Sequence, residues 1–263
     1  MVERENTLVD LAREHHPATV RNVYYRAVVA GIVTKDQRGY DKVQRSLLQL
    51  RRDGRIPYAW IVDNTRWMRK PQSWGSIEEA LEHTANTYRR DLWRDTDQRV
   101  EVWCESDSIA GVLWDVTASW GVALMPVRGF SSASFTYSAA TEANRDGRPL
   151  TILYVGDHDP AGLQIDAALQ RGLLDHLEVE LDFQRVAVTW DQVLDLDLPG
   201  TTPKRSYGFP LAVEAEAMPP QLLRDLLHGH LEGLVDQHRV HALEAAEESE
   251  RLILAELAWG VTT

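Results

Sequence analysis

The chain has 263 residues, 44% of them hydrophobic and 26% charged, and its 9 Trp, 8 Tyr and 4 Phe exclude a disordered chain in favour of one large or two small globular domains. A single cysteine, Cys104, excludes an internal disulfide or cysteine-based zinc cluster; the lack of an 18-residue apolar run and the acidic opening MVERENTLVD point to a cytoplasmic protein with no membrane contact. The net charge of −12 argues against a polyanionic partner, but residues 15–70 hold 12 Lys and Arg against 4 acids, whereas residues 101–263 hold 10 against 26.

In chain order, Thr7–Glu14 is a short amphipathic stretch stopped by Pro17, and Thr19–Ile32 repeats apolar residues at helical spacing. Asp41–Asp53 reads as a third helix closed by Gly54, and Ile56–Val62 alternates as an edge strand would. Three short helices and a strand in so few residues describe a winged-helix module over residues 1–70. Pro71–Gly75 reads as a linker, and Ser76 with Glu79 forms a capping-box pattern opening a helix that runs to about Leu92, so 71–98 is a helical connection. From residue 99 the pattern changes: Val100–Cys104, Val122–Met125, Leu150–Val155 and Val186–Val188 suit buried strands. Between them lie the helix-length segments Ile109–Trp120, Phe135–Asn144 and Pro160–Leu174. This alternation predicts a parallel α/β sheet domain over 99–263, ending in an acidic helical tail from Pro219 to Leu257.

Three clusters carry the chemistry. In Asp41–Asp53, Lys42, Arg45, Gln49 and Arg52 recur on one face while Val43, Leu47 and Leu50 fall on another, and Arg38 flanks the basic face. That arrangement suits entry into a DNA groove, although an ordinary solvated basic face has the same pattern. Arg66, with Arg69 and Lys70 beside Trp60 and Trp67, adds basic groups with interleaved aromatics. The second cluster is acidic. Glu105 follows the first strand and Asp157 and Asp159 follow the third, where parallel sheets gather their ligand chemistry. Two aspartates two residues apart in extended chain face the same way, and three such carboxylates would hold Mg²⁺ or Mn²⁺. A turn and helix-cap role for the two aspartates is the competing explanation. His158 between them is expected to point away, Cys104 to pack in the core, and Arg128 to touch a phosphate after the second strand unless Ser131 or Ser132 merely caps a helix. Lys204 and Arg205 form the one basic spot of the C-terminal loops.

The third cluster is Arg21-Asn-Val-Tyr24-Tyr25. Adjacent helical residues differ by about 100°, so Tyr24 falls on the apolar stripe with Val20 and Ala27 and Tyr25 lies off it, beside Arg21. An exposed tyrosine in a DNA-binding module is a candidate nucleophile toward a phosphodiester, with Arg21 to stabilise the charge that develops.

Taken together, Arg21-Asn-Val-Tyr-Tyr in a winged helix, Glu105, and Gly-Asp157-His-Asp159-Pro-Ala-Gly resemble the A subunit of DNA topoisomerase VI and the related meiotic double-strand-break transesterases. The second half looks like a Toprim domain, and the short length is similar to the reduced "mini-A" relatives. The resemblance spans roughly residues 18–235. It implies a Mg²⁺-dependent DNA-cleaving transesterase with Tyr25 as nucleophile and Glu105, Asp157 and Asp159 as metal ligands. It further implies a homodimer on double-stranded DNA in which Tyr25 of one protomer faces the metal site of the other. No ATPase motif is present, so strand passage would need a separate ATPase subunit. The alternatives are a Toprim nuclease acting through water, with the tyrosines structural, and a non-catalytic DNA-binding accessory protein.

Overall fold

The computed structural model describes residues 2–62, 71–129, 133–203 and 209–260. Arg66, Trp67, Arg69, Lys70, Ser131, Ser132, Lys204 and Arg205 lie outside the described residues. Among the described residues there are ten α-helices and one four-stranded parallel sheet, and no helix is long and apolar enough to cross a membrane.

The N-terminal helices α1 (Val2–His15), α2 (Val20–Val29) and α3 (Gln37–Arg52) form as the apolar spacing predicts. Thr19 caps α2 through a reciprocal box with Asn22, and Asp36 caps α3 by accepting from the Gly39 amide at 2.6 Å. The expected strand at Ile56–Val62 does not form. Pro57 opens a 3₁₀ turn over Tyr58–Trp60, and the segment makes only an isolated bridge between Ala18 and Ile61. A proline at the head of so short a run withholds a ladder donor, which favours the turn. Helix α4 (Ile77–Thr87) is capped by Ser76, but it stops short of Leu92. Tyr88 is extended there, and its carbonyl is taken by Arg251 at 2.8 and 2.9 Å.

The sheet consists of β1 (Arg99–Cys104), β2 (Ala123–Pro126), β3 (Leu150–Val155) and β4 (Leu181–Ala187), in the order β2-β1-β3-β4. Its connecting helices are α5 (Asp107–Trp120), α6 (Ala133–Asp146) and α7 (Pro160–Leu174). The central strands β1 and β3 are almost wholly buried, as both faces of a parallel sheet are covered. Trp103, Ile152 and Tyr154 pack on one face with residues of α6 and α7. Val102, Cys104, Leu153 and Val155 pack on the other with α5 and with the N-terminal helices, so one apolar cluster joins the first sixty residues to the sheet. After α8 (Trp190–Asp195) the C-terminal tail forms two helices, α9 (Pro220–Gly233) and α10 (Gln237–Gly260). The first packs on α5 and the second on α4.

A candidate active-site cleft at the strand ends

Strand order reverses between β1 and β3: the chain leaves β1 toward β2 on one side and returns across it to β3 on the other. The carboxyl ends of two strands at such a reversal leave a crevice between diverging connections. Glu105 directly follows β1 and Asp157 lies two residues past the end of β3, so both carboxylates border this crevice. A cleft of about 840 Å³ opens there, lined by Glu105, Asp157, Glu214 and Glu216 on the sheet side and by Arg21, Tyr40, Gln44 and Arg51 from α2 and α3.

The two strand-end acids are held by backbone. Glu105 Oε2 accepts from the Asp157 amide at 2.9 Å, and Asp157 Oδ1 accepts from the Ala215 amide at 2.8 Å. Burial, reinforced by the Glu105 charge, pushes the Asp157 carboxyl up to about 8, and burial also raises Glu105. Asp159, expected as the third ligand, serves as a helix cap, and its charge adds to the rise of Glu105. The chain stays extended through His158, which bridges Val213, and turns only after Asp159, which caps α7 by accepting from the Gly162 amide at 2.6 Å, with Pro160 in the first turn. Asp159 lies outside the set of residues lining the cleft. Gly162 permits this turn, since a Cβ there would lie 2.3 Å from the Asp157 carbonyl oxygen. His158 is buried between aromatic rings, stacked on Trp190 and tilted against Phe209 with ring centroids 5.6 and 5.0 Å away. Cys104 is fully buried and its thiol is pushed up to about 12, chiefly by burial.

Among the described residues no three His, Cys, Asp or Glu side chains form a ready-made ion cage. The donor chemistry nevertheless suits a hard cation: Glu105 and Asp157 are neighbouring carboxylates, and Mg²⁺ is commonly held by one or two carboxylates with water completing its shell.

Sequence reasoning missed what supports this turn. Arg185 of β4 donates to the carbonyls of Gly156 and Val188 at 2.9 Å each and to that of Asp157 at 3.2 Å. It is itself fixed by two bonds to Asp166 at 2.7 and 3.0 Å. Glu214 and Glu216, which complete the acidic wall, were also missed; they come from a loop that carries no recognisable motif. Glu216 is buried and its carboxyl raised by that burial, with Ser106 donating to it at 3.4 Å.

One of the two tyrosines departs from its expected placement. Tyr24 is buried as expected, but Tyr25, expected to be exposed, is only 2% exposed. Its face of α2 does lie off the apolar stripe, yet the turn Ala215–Ala217 packs over α2 and covers it. The Tyr25 hydroxyl hydrogen-bonds the Glu214 carboxylate, and burial with Glu214 raises the phenol well above its ordinary value. Lys35 Nζ lies 4.9 Å over the Tyr25 ring, and Arg21 is ion-paired with Glu214.

On α3, Lys42, Arg45, Gln49 and Arg52 are exposed, as is Arg38. The cleft-lining residues Tyr40, Gln44 and Arg51 occupy another face, roughly 140° round the helix at about 100° per residue. Helix α3 therefore offers two surfaces, one into the cleft and one basic face away from it. Arg128 sits at the cleft rim, bound to both carboxylate oxygens of Asp107 at 2.9 and 3.0 Å. Comparison with protein-family models, with curated proteins and with solved structures gives no match for this chain.

Proposed function

We propose that the chain is a divalent-metal-dependent DNA-cleaving transesterase of the topoisomerase VI A type, built from a winged-helix module and a Toprim-type sheet domain. One observation carries the reading: Glu105 and Asp157 abut at the strand reversal, across one cleft from the helix that bears Arg21 and Tyr25. Glu105 and Asp157 would hold Mg²⁺ or Mn²⁺, with Asp159 fixing the turn rather than lining the cleft. A bound cation supplies positive charge that offsets the anionic phosphodiester. The chain's own groups do the rest. Arg21 fixes and neutralises a phosphate oxygen, and the exposed face of α3 tracks the DNA backbone. The Tyr25 oxygen bonds to phosphorus as the P–O3′ bond breaks; the phenolic proton passes to the departing oxygen, leaving a 3′-hydroxyl and a 5′-phosphotyrosine that the reverse reaction reseals. A homodimer would present two such centres to the two strands of a duplex, each completed within one protomer rather than shared between protomers as the resemblance implies, and strand passage would require a separate ATPase subunit.

The burial of Tyr25 favours one competing reading, a Toprim nuclease in which water attacks and both tyrosines are structural. Incubation with supercoiled DNA and Mg²⁺ followed by denaturation separates the two. The transesterase leaves protein on 5′ ends, and Tyr25→Phe abolishes both adduct and breaks. Cleavage retained in Tyr25→Phe and lost in Asp157→Asn is the nuclease result.

A further inference from the structure

Glu214 occupies a position built for an anion. Its carboxylate is paired with the Arg21 guanidinium and hydrogen-bonded by the Tyr25 hydroxyl, and the Lys35 ammonium stands over the same tyrosine ring. Lys35 is half-buried and spends one donor on the Pro199 carbonyl at 2.9 Å, which fixes it over the tyrosine. The other acids bordering the cleft are engaged differently: Glu105 and Asp157 accept from backbone amides, Glu216 accepts from Ser106, and Asp107 pairs with Arg128 at the rim.

A guanidinium and a hydroxyl on one carboxylate, with a second cation over the tyrosine ring beside them, offer what a phosphodiester oxygen needs, because carboxylate and phosphate present similar anionic oxygens to a guanidinium fork. We propose that Arg21, Lys35 and the Tyr25 hydroxyl form the seat for a DNA backbone phosphate, and that Glu214 is the chain's own competitor for it. The inference deepens the transesterase reading, and its binding arm does not depend on the chemistry.

The surroundings make displacement of Glu214 a side-chain event. Its main chain is pinned on both sides, since Val213 exchanges two hydrogen bonds with His158 at 2.8 and 3.0 Å and Ala215 donates to Asp157. The Arg21 and Glu214 side chains are 50% and 33% exposed, so the seat opens outward where they meet, while Tyr25 behind them is closed off. A phosphate arriving at Arg21 releases Glu214 into solvent and frees the phenol from its carboxylate partner. The free chain thereby keeps its nucleophile engaged until a strand is in place.

The test is duplex-oligonucleotide binding by fluorescence anisotropy in EDTA, over a series of salt concentrations, with chain and Glu214→Gln compared. The variant is expected to bind on the order of fivefold to tenfold more tightly, and the log affinity against log salt slope to steepen by about one, as one freed cation gains a phosphate. Glu214→Ala must act in the same direction. Adding Arg21→Ala to Glu214→Gln must erase the gain; a gain that survives it is a general charge effect and overturns the proposal, as does unchanged or weaker binding. Covalent capture is read separately. If no variant forms an adduct while Glu214→Gln still binds more tightly through Arg21, the seat stands and the nucleophile assignment fails. If binding is unchanged and the adduct is lost, Glu214 takes the phenolic proton instead, and the seat proposal fails.

Discussion

Replacing Arg185 by methionine removes the side chain that holds the Gly156–Asp157 turn. The Arg185 and Asp166 side chains are 14% and 12% exposed, so their bidentate pair is largely desolvated, and burial holds the Asp166 carboxyl above its usual range despite the neighbouring guanidinium. Deleting one partner of such a pair leaves an uncompensated buried charge, at a cost of about 3–5 kcal/mol. The three carbonyls that Arg185 serves add less, because Gly156 O keeps the Val188 amide at 2.9 Å. For a chain of this size that loss lowers the melting temperature by about 10 °C. The assay is urea denaturation of Arg185→Met, Asp166→Leu and the double variant at neutral pH. The double variant should cost at least about 2 kcal/mol less than the sum of the singles, since an apolar pair replaces an ion pair without stranding a charge. Below its melting range, Arg185→Met should also bind Mn²⁺ more weakly, because the Asp157 backbone is no longer fixed. A single-variant cost under about 1 kcal/mol, or simple additivity, would refute this account of the turn.

Burial raises Glu105, Asp157 and Glu216, with Asp157 reaching about 8. An acid raised on folding contributes stability that is fully present below its unfolded value of about 4 and is lost as pH rises through the folded value, so melting in EDTA should fall from pH 6 to pH 8.5; an equal or rising melting temperature contradicts this. Gly162→Ala forces a methyl to within 2.3 Å of the Asp157 carbonyl and should cost about 1–3 kcal/mol by urea denaturation, with a neutral result disproving the close approach. Lys42→Ala with Arg45→Ala, on the exposed face of α3, should weaken duplex binding, reduce the salt slope by about two and leave the melting temperature unchanged. Unchanged binding there, with loss in Arg51→Ala, would move the DNA contact to the cleft side of the helix.

Local signals were legible and tertiary ones were not. The limits of α7 follow from Asp159-Pro160, a cap followed by a residue preset for the first turn, and β3 follows from its unbroken apolar run. Strand β4 begins earlier than Val186 because Asp182, Gln184 and Arg185 on a sheet edge break the apolar pattern. Convergence of Glu105 on Asp157 was readable because both follow central strands. The cap role of Asp159 was readable only as an alternative, since Asp-x-Asp spacing alone does not say where the chain turns. Tyr25 shows the limit most clearly. Helical angles put it off the apolar stripe, but its cover comes from residues 214–217, far along the chain, and no local pattern announces that contact. The same distance hid Glu214 and Arg185, whose roles exist only once the sheet and its loops are assembled.

The most direct test is mass spectrometry of protein trapped on DNA in Mg²⁺ and then digested with nuclease. A nucleotide attached to the peptide carrying Tyr25, and missing when Asp157→Asn is used, is the predicted result. Cleaved DNA with no modified tyrosine, or a nucleotide on a different residue, contradicts it.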